Sequence, residues 1–371
     1  MVALALHLRE VGHQARLCIP PGFSDLLDGF GLTSYPVGHD LRLGPRKVPG
    51  GATETAAAQF EALRDAAADC DAIVGCAAMQ IAGRSIAELF EIPYFYAAYT
   101  PVVLPSTDHS PPAYGHPDPP DTDTRHKWDL DARRWNETWR NGLNSQRAAI
   151  GLAPVTDVRS HVLTNRPLLA ADPTLAPWPS SSELEVVQTG AWLMADRRSL
   201  SEELEAFIEA GKPPILFSFG SMPAPLASGS TLIAAARALG YPAIVLRGWA
   251  ELVPPGVSPD WMSVGETNLQ ALLPRVAAIV HHGGSGTTTQ AMRSGTPQVV
   301  VPHNYDQPYF AHRVAALGIG IAHPPHEPTA ASLAEALDRS LACTVTARAR
   351  SLATAVRTDG TAAAAKVILA H

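Results

Sequence analysis

The chain has 371 residues, 46% hydrophobic and 17% charged, with 28 basic and 35 acidic side chains and a formal net charge of −7. The length exceeds one ordinary core and suits two α/β domains, and the composition is globular, not disordered. The acidic balance lacks the basic face that tracks nucleic-acid phosphates, which excludes a nucleic-acid partner while leaving room for a local pocket for one small anion.

In chain order, Val2, Leu4, Ala5 and Leu8 have helical spacing, and Gly12-His13 ends that helix. A doubly wound domain opens with a strand and a glycine turn before its first helix. This chain opens on the helix itself. Strands are expected at Ala15–Ile19, Ala72–Gly75 and Tyr94–Ala97, with helices at Thr53–Ala68 and Met79–Phe90. Pro101 to Pro120 is proline-rich and reads as a long loop. A helix follows at Trp128–Ile150, with Trp128, Trp135 and Trp139 partly in phase. A strand at Glu185–Gln188 closes the first half, and the break falls near Trp192–Arg198. Ser201 then starts a helix to Ala210, with Glu202 and Glu203 in its first turn. The second half offers strands at Ile215–Phe219, Ala243–Arg247, Ala277–His281 and Gln298–Val301, and a last helix within Thr358–His371. Alternation of this kind points to parallel-sheet α/β architecture.

No apolar run reaches the roughly 18 to 20 residues of a membrane span. Met1 to Leu8 has neither a basic region nor a small-residue cleavage site, so no signal peptide is expected. Cys18, Cys70, Cys76 and Cys343 form no CxxC pair, and buried reduced thiols in a cytoplasmic protein are the expectation.

The most informative stretch runs from Val280-His281-His282-Gly283-Gly284 to Ser285-Gly286-Thr287-Thr288-Thr289-Gln290. A strand enters a glycine turn, and a helix starts at about Gly286 and runs through Met292. Glycines let the backbone approach a ligand, and free N–H groups at a helix mouth attract anions. Ser285, Thr287 and Thr288 add hydroxyls and His282 adds a donor, which together suit a diphosphate. The stretch is neither a Walker A loop nor a dinucleotide fingerprint. One strand later comes Val301-Pro302-His303-Asn304-Tyr305-Asp306-Gln307-Pro308-Tyr309. Asp306 and Gln307 suit sugar hydroxyls, or equally a helix cap.

His281 to Thr288, Asp306 to Ala311 and Leu317-Gly318-Ile319-Gly320 resemble the C-terminal signature of the nucleotide-sugar glycosyltransferases of the GT-B fold. Pro93–Ala97, Leu143–Arg147, Val187–Trp192, Phe217–Met222 and Arg247–Ala250 extend the likeness toward the bacterial antibiotic enzymes that decorate glycopeptide aglycones. The resemblance implies two Rossmann-like doubly wound domains facing across a cleft: residues 1–195 for the acceptor, 196–357 for the donor, and 358–371 crossing back. It implies that Ser221, His282, Gly284, Ser285, Gly286 and Thr287 hold the donor diphosphate. Arg247, Glu266, Thr267 and Asn268 would lie near the nucleoside. Gln290 stands where plant relatives carry a ribose-binding glutamate. Asp306 and Gln307 would hold the sugar.

The implied reaction is inverting transfer from a UDP or dTDP sugar, with no metal or other cofactor, to a glycopeptide aglycone; a polyketide, sterol or glycolipid would fit the same lobe. The family's first strand and its base-bearing loop have no counterpart in the sequence. Asp108 or His109 in the proline-rich loop are the substitutes on offer. Asp121-Thr122-Asp123 and Asp129-Leu130-Asp131 read as acidic groups around a helix start, not as metal triplets. Two other readings stand beside an active transferase: a donor-binding protein without turnover, and a nucleotide-sugar epimerase.

Overall fold

The computed structural model describes residues 1–38, 40, 51–77, 80–112, 122–179, 183–220, 227–254, 256, 258–324 and 327–371. Twelve strands are assigned among them: β1 Arg16–Ile19, β2 Thr33–Pro36, β3 Ile73–Cys76, β4 Tyr94–Ala98, β5 Leu168–Leu169, β6 Val187–Gln188, β7 Ile215–Ser218, β8 Ala243–Leu246, β9 Trp261–Val264, β10 Ala278–His281, β11 Gln298–Val300 and β12 Gly320–Ala322. They form three sheets, ordered β1-β2, β3-β4-β5-β6 and β12-β11-β10-β7-β8-β9. Among the described residues all strand pairings are parallel.

The C-terminal sheet is doubly wound. Its central strands β7, β8 and β10 are buried at every residue, as strands covered by helices on both faces must be. One face packs Phe217, Val245 and Val280 with Leu232, Leu333 and Leu337. The other packs Leu216, Ile244 and Ile279 with Leu204 and Leu272.

The strands of the N-terminal half divide between two sheets instead of joining one. Between β1 and β3 lies a cavity of about 200 Å³, lined by Leu17, Ile19, Ile73 and Val74 among others. The opening helix is Val2–Glu10, as its spacing predicts, with Leu4 and Ala5 buried. The fourth helix begins at Gly83, later than expected. The backbone N–H groups of Ile81 and Ala82 donate to Gln59 Oε1 at 2.7 and 3.4 Å, outside any helical ladder. Cys343 is exposed, against the expectation of buried thiols.

Two features join the halves. Helix Gly360–Ile368 lies on the N-terminal sheet, where Ala364, Ala365 and Ile368 meet Leu4, Phe95 and Leu168. A Cβ on Gly360 would run into the carbonyl oxygens of Gly190 and Ala191, so only glycine permits that approach. The largest apolar cluster also crosses the divide, from Tyr96, Leu169 and Leu175 to Met292, Phe310 and Val314. Among the described residues no helix is long and apolar enough to cross a membrane.

Candidate functional site

Strand β7 is the first of its sheet; the chain then runs outward through β8 and β9 on one side and β10, β11 and β12 on the other. The crevice at such a reversal, beyond the carboxyl ends of the strands, is where open α/β sheets take ligands. Here it lies between the ends of β7 and β10. Both strands leave through glycine turns. Gly220 has φ +56 and accepts at its carbonyl from Trp249 N at 3.0 Å. Gly283 has φ +94, and a Cβ there would sit 2.7 Å from Val300 Cγ1.

The β10 turn leads into helix Ser285–Ser294, whose N-cap, Gly284, has no side chain to satisfy the first amides. The N–H groups of Ser285, Gly286 and Thr287 therefore face outward at the positive end of the dipole. Thr288 Oγ1 donates to Gly284 O at 2.9 Å and Thr289 Oγ1 to Ser285 O at 2.7 Å. That corrects the expectation for Thr288: its hydroxyl proton is spent on the helix.

The two adjacent histidines have different work. His281 is fully buried; its Nδ1 accepts from Gly283 N at 3.1 Å, so its Nε2–H donates to Gln298 Oε1 at 2.9 Å. Burial first, then the neighbouring His282, push its pKa down to about 3, and it stays neutral. His281 thus shapes the glycine turn, a role the sequence reading missed. His282 is half-buried, and its Nδ1 is a buried atom with no hydrogen-bond partner in the protein. Burial lowers its pKa too. Its ring lies between the two glycine turns: Cε1 is 3.3 Å from where a Gly220 Cβ would be, and Nε2 is 2.6 Å from that of Gly284. The ring thus bridges the β7 turn and the uncapped helix mouth with one buried nitrogen unpaired, an arrangement whose chemistry suits an acceptor-rich ligand.

The loop after β11 carries the second group. Asp306 is the N-cap of helix Gln307–Ala316 but makes no side-chain capping bond. Burial raises its carboxyl pKa to about 6. Gln307 is buried; its Oε1 accepts from His303 N at 2.7 Å and Asn304 N at 3.1 Å, and its Nε2 donates to Asn304 Oδ1 at 3.3 Å. Gln307 therefore winds the loop, while Asp306 is the group presented.

The other expected residues are more dispersed. Ser221 lies outside the described residues. Arg247 is exposed, with Nε 4.0 Å from Glu251. Glu266 is exposed and pairs with Arg198 at 3.1 Å. Thr267 and Gln290 are half-buried. Asn268 is buried: its Nδ2 donates to Asp196 O at 3.1 Å and Arg198 O at 2.7 Å, and its Oδ1 caps the next helix. It pins the linker between the halves. Asp108 is exposed, and its Oδ1 accepts from Thr107 Oγ1 at 3.0 Å. His109 is half-buried, with Nε2 3.1 Å from Leu104 O. Its ring lies 5.8 Å from Trp178 and 6.3 Å from Tyr309, a residue of the helix that follows Asp306. Burial lowers its pKa.

Of the acidic triplets, Asp121 lies outside the described residues. Asp123 caps helix Thr124–Ala149 and Asp131 is buried against Arg159 at 3.2 Å. Among the described residues no group of three or more His, Cys, Asp or Glu could hold a metal ion.

Residues 247–365 match the family described as erythromycin biosynthesis protein CIII-like, C-terminal domain. The whole chain aligns at 44% identity with glycosyltransferase GtfE of Amycolatopsis orientalis, covering 93% of that protein. It aligns at 43% with the vancomycin aglycone glucosyltransferase of the same organism, again over 100% of this chain and 93% of the relative. Among solved structures, the glycotransferase of kitacinnamycin superposes with a TM-score of 0.73 at 19% identity, covering 99% of this chain and 94% of that one. Glycosyltransferase VinC in complex with DTDP gives 0.69 at 22%, covering 100% and 95%. These structures establish the two-domain GT-B fold.

Proposed function

Since the chain belongs to the antibiotic glycosyltransferases of the glycopeptide type, we propose that it moves a sugar from a UDP or dTDP donor to a hydroxyl of a glycopeptide aglycone. The observation that carries the reading is the His282 ring, its Nδ1 unpaired and its Nε2 against Gly284, set at the uncapped helix mouth at Ser285. The dTDP in the VinC complex supports a nucleoside diphosphate as the occupant.

In the proposed step the acceptor oxygen attacks the anomeric carbon in line and the bond to the diphosphate oxygen breaks, with inversion. The charge growing on the leaving group is met by the amides of Gly284, Ser285, Gly286 and Thr287 and by His282, fixed before the reaction begins, with Ser221 contributing from the β7 turn. The Asp306 carboxylate accepts from sugar hydroxyls, and Gln307 holds the loop that presents it. Arg247, Glu266, Thr267 and Gln290 border the nucleoside, and Asn268 fixes the backbone of that border. Removal of the acceptor proton is worth about 10² to 10⁴-fold. Asp108 and His109 are the candidates for it; the His109 ring lies 6.3 Å from that of Tyr309 on the donor half, and its replacement tests that role. No metal or cofactor enters the scheme. Four free thiols fit a reducing cytoplasm.

The test is incubation with UDP-glucose or dTDP-glucose, with and without a glycopeptide aglycone, in EDTA. The expected product is an aglycone heavier by one sugar. Donor binding without product would favour a binding protein. An epimerised donor formed without acceptor would favour an epimerase.

A further inference from the structure

The N-terminal half meets the diphosphate helix through the turn Asp172–Ala176. Asp172 is 1% exposed; its Oδ1 accepts from Thr174 N at 2.9 Å and Leu175 N at 3.2 Å, and its Oδ2 accepts from Arg357 N at 2.8 Å. One carboxylate thus winds the turn and ties it to the segment that leads into helix Gly360–Ile368. From the donor half, Arg313 on helix Gln307–Ala316 reaches the same turn. Its Nε donates to Leu175 O at 2.7 Å and its Nη2 to Thr174 O at 3.1 Å.

The turn is also a wall of the donor crevice. A cavity of about 80 Å³ is lined by Asp172, Leu175 and Trp192 on one side and by Ser285, Gly286 and Phe310 on the other. A planar guanidinium that catches two successive carbonyls fixes both distance and orientation, which a lysine's point charge does not. Arg313 shares its helix with the loop that presents Asp306. One rigid element therefore carries the sugar-binding carboxylate at its start and the fork that grips the opposite wall near its end.

We propose that Arg313 is a positioning residue that sets the width of the donor crevice, holding the Thr174–Leu175 turn over the mouth of helix Ser285–Ser294. The inference rests on the donor reading given above. With the wall in place the anomeric carbon is shielded from water and open to the acceptor. With the wall loosened, water competes: its oxygen forms the bond to the anomeric carbon, the bond to the diphosphate oxygen breaks, and the proton passes to solvent. The apolar seam that joins Leu175 to Phe310 and Val314 remains when the fork is removed, so the halves stay together and only the setting of the wall relaxes.

The experiment compares the parent with Arg313→Ala and Arg313→Lys. Two quantities are read: amide hydrogen exchange in residues 172–176, and the ratio of donor hydrolysis to sugar transfer. Arg313→Ala is expected to speed exchange in 172–176 while β7 and β8 are unchanged. It is expected to raise the hydrolysis ratio about 10-fold, the size of one lost charge-assisted hydrogen bond. Arg313→Lys is expected to fall between the two, and it decides the matter if the alanine variant does not fold. Unchanged exchange overturns the proposal. Faster exchange with an unchanged ratio also overturns it, because it leaves a structural tie alone. If the parent neither transfers nor hydrolyses a sugar nucleotide, the donor reading fails and takes this one with it. Normal parent turnover with an unaltered variant ratio removes only the role of Arg313.

Discussion

Replacement of His282 by alanine is expected to weaken nucleoside-diphosphate binding without a matching loss of stability. The imidazole stays neutral because burial lowers its pKa, and a hydrogen bond from it to a phosphate oxygen is charge-assisted. Such a bond is worth about 1.5 to 3 kcal/mol, or roughly 10- to 150-fold in Kd. In the free protein the balance differs. Nδ1 is buried and unpaired, and a buried polar atom without a partner costs about 1 to 3 kcal/mol. Removing it offsets the packing lost with a half-buried ring, so Tm is expected to move by only a few degrees. Gly284→Ala makes the same point with the imidazole retained. The new methyl would lie 2.6 Å from Nε2 and must push the ring aside. Calorimetric titration with UDP and dTDP, paired with thermal unfolding, measures both effects. An unchanged Kd in His282→Ala would refute the reasoning, as would a large fall in Tm, which would make the ring a structural support.

Asp306→Asn gives a signed pH effect. The folded-state pKa is raised to about 6 from 3.8, so protonation stabilises the fold. That stabilisation is complete below about pH 4 and lost as pH rises through 6. The variant is expected to lack this loss and to exceed the parent by about 1 kcal/mol at pH 8, after discounting for solvent contact. Donor KM of the parent is expected to rise as pH falls below 6, and a flat profile would remove the carboxylate from sugar binding. Gly248→Ala adds a side chain at φ +58 against Gly220 O and is expected to cost about 1 to 3 kcal/mol; urea unfolding measures it, and an unaltered midpoint would count against the close approach of the two loops. Two-stranded sheets are marginal alone, so hydrogen exchange is expected to be faster in β1 and β2 than in β7, β8 and β10. Equal protection would mean that the small sheet is as firmly held as the large one.

The legible parts of the sequence were those in which a local pattern has one physical meaning. Ile215-Leu216-Phe217 and Ala278-Ile279-Val280 are apolar on both faces, and both lie at the sheet centre with every residue buried. Gly283-Gly284 at the end of such a run marks a turn and a helix mouth, and the helix runs Ser285–Ser294, one residue from the expected start. Strand β6 falls within the expected strand Glu185–Gln188, whereas β5 is two residues long, too short for periodicity, and exists through pairing with β4 and β6. The roles of the polar residues were the least legible. His281 and Gln298 are 17 positions apart, and only the adjacency of β10 and β11 shows that the imidazole has a partner there. Gln307 turns inward to His303 and Asn304, although its type suits a sugar as well as a backbone. Asn268 reaches a linker about 70 residues earlier, a contact no local pattern announces.

The central claim is that the donor diphosphate lies at the β10 glycine turn, between His282 and the first amides of the helix that follows. A crystal structure of the protein with dTDP or UDP tests it most directly. The account predicts phosphate oxygens within about 3.2 Å of a His282 ring nitrogen and of the Ser285 to Thr287 amides. A nucleotide bound elsewhere, with the Nδ1 of His282 still unpaired, would contradict it.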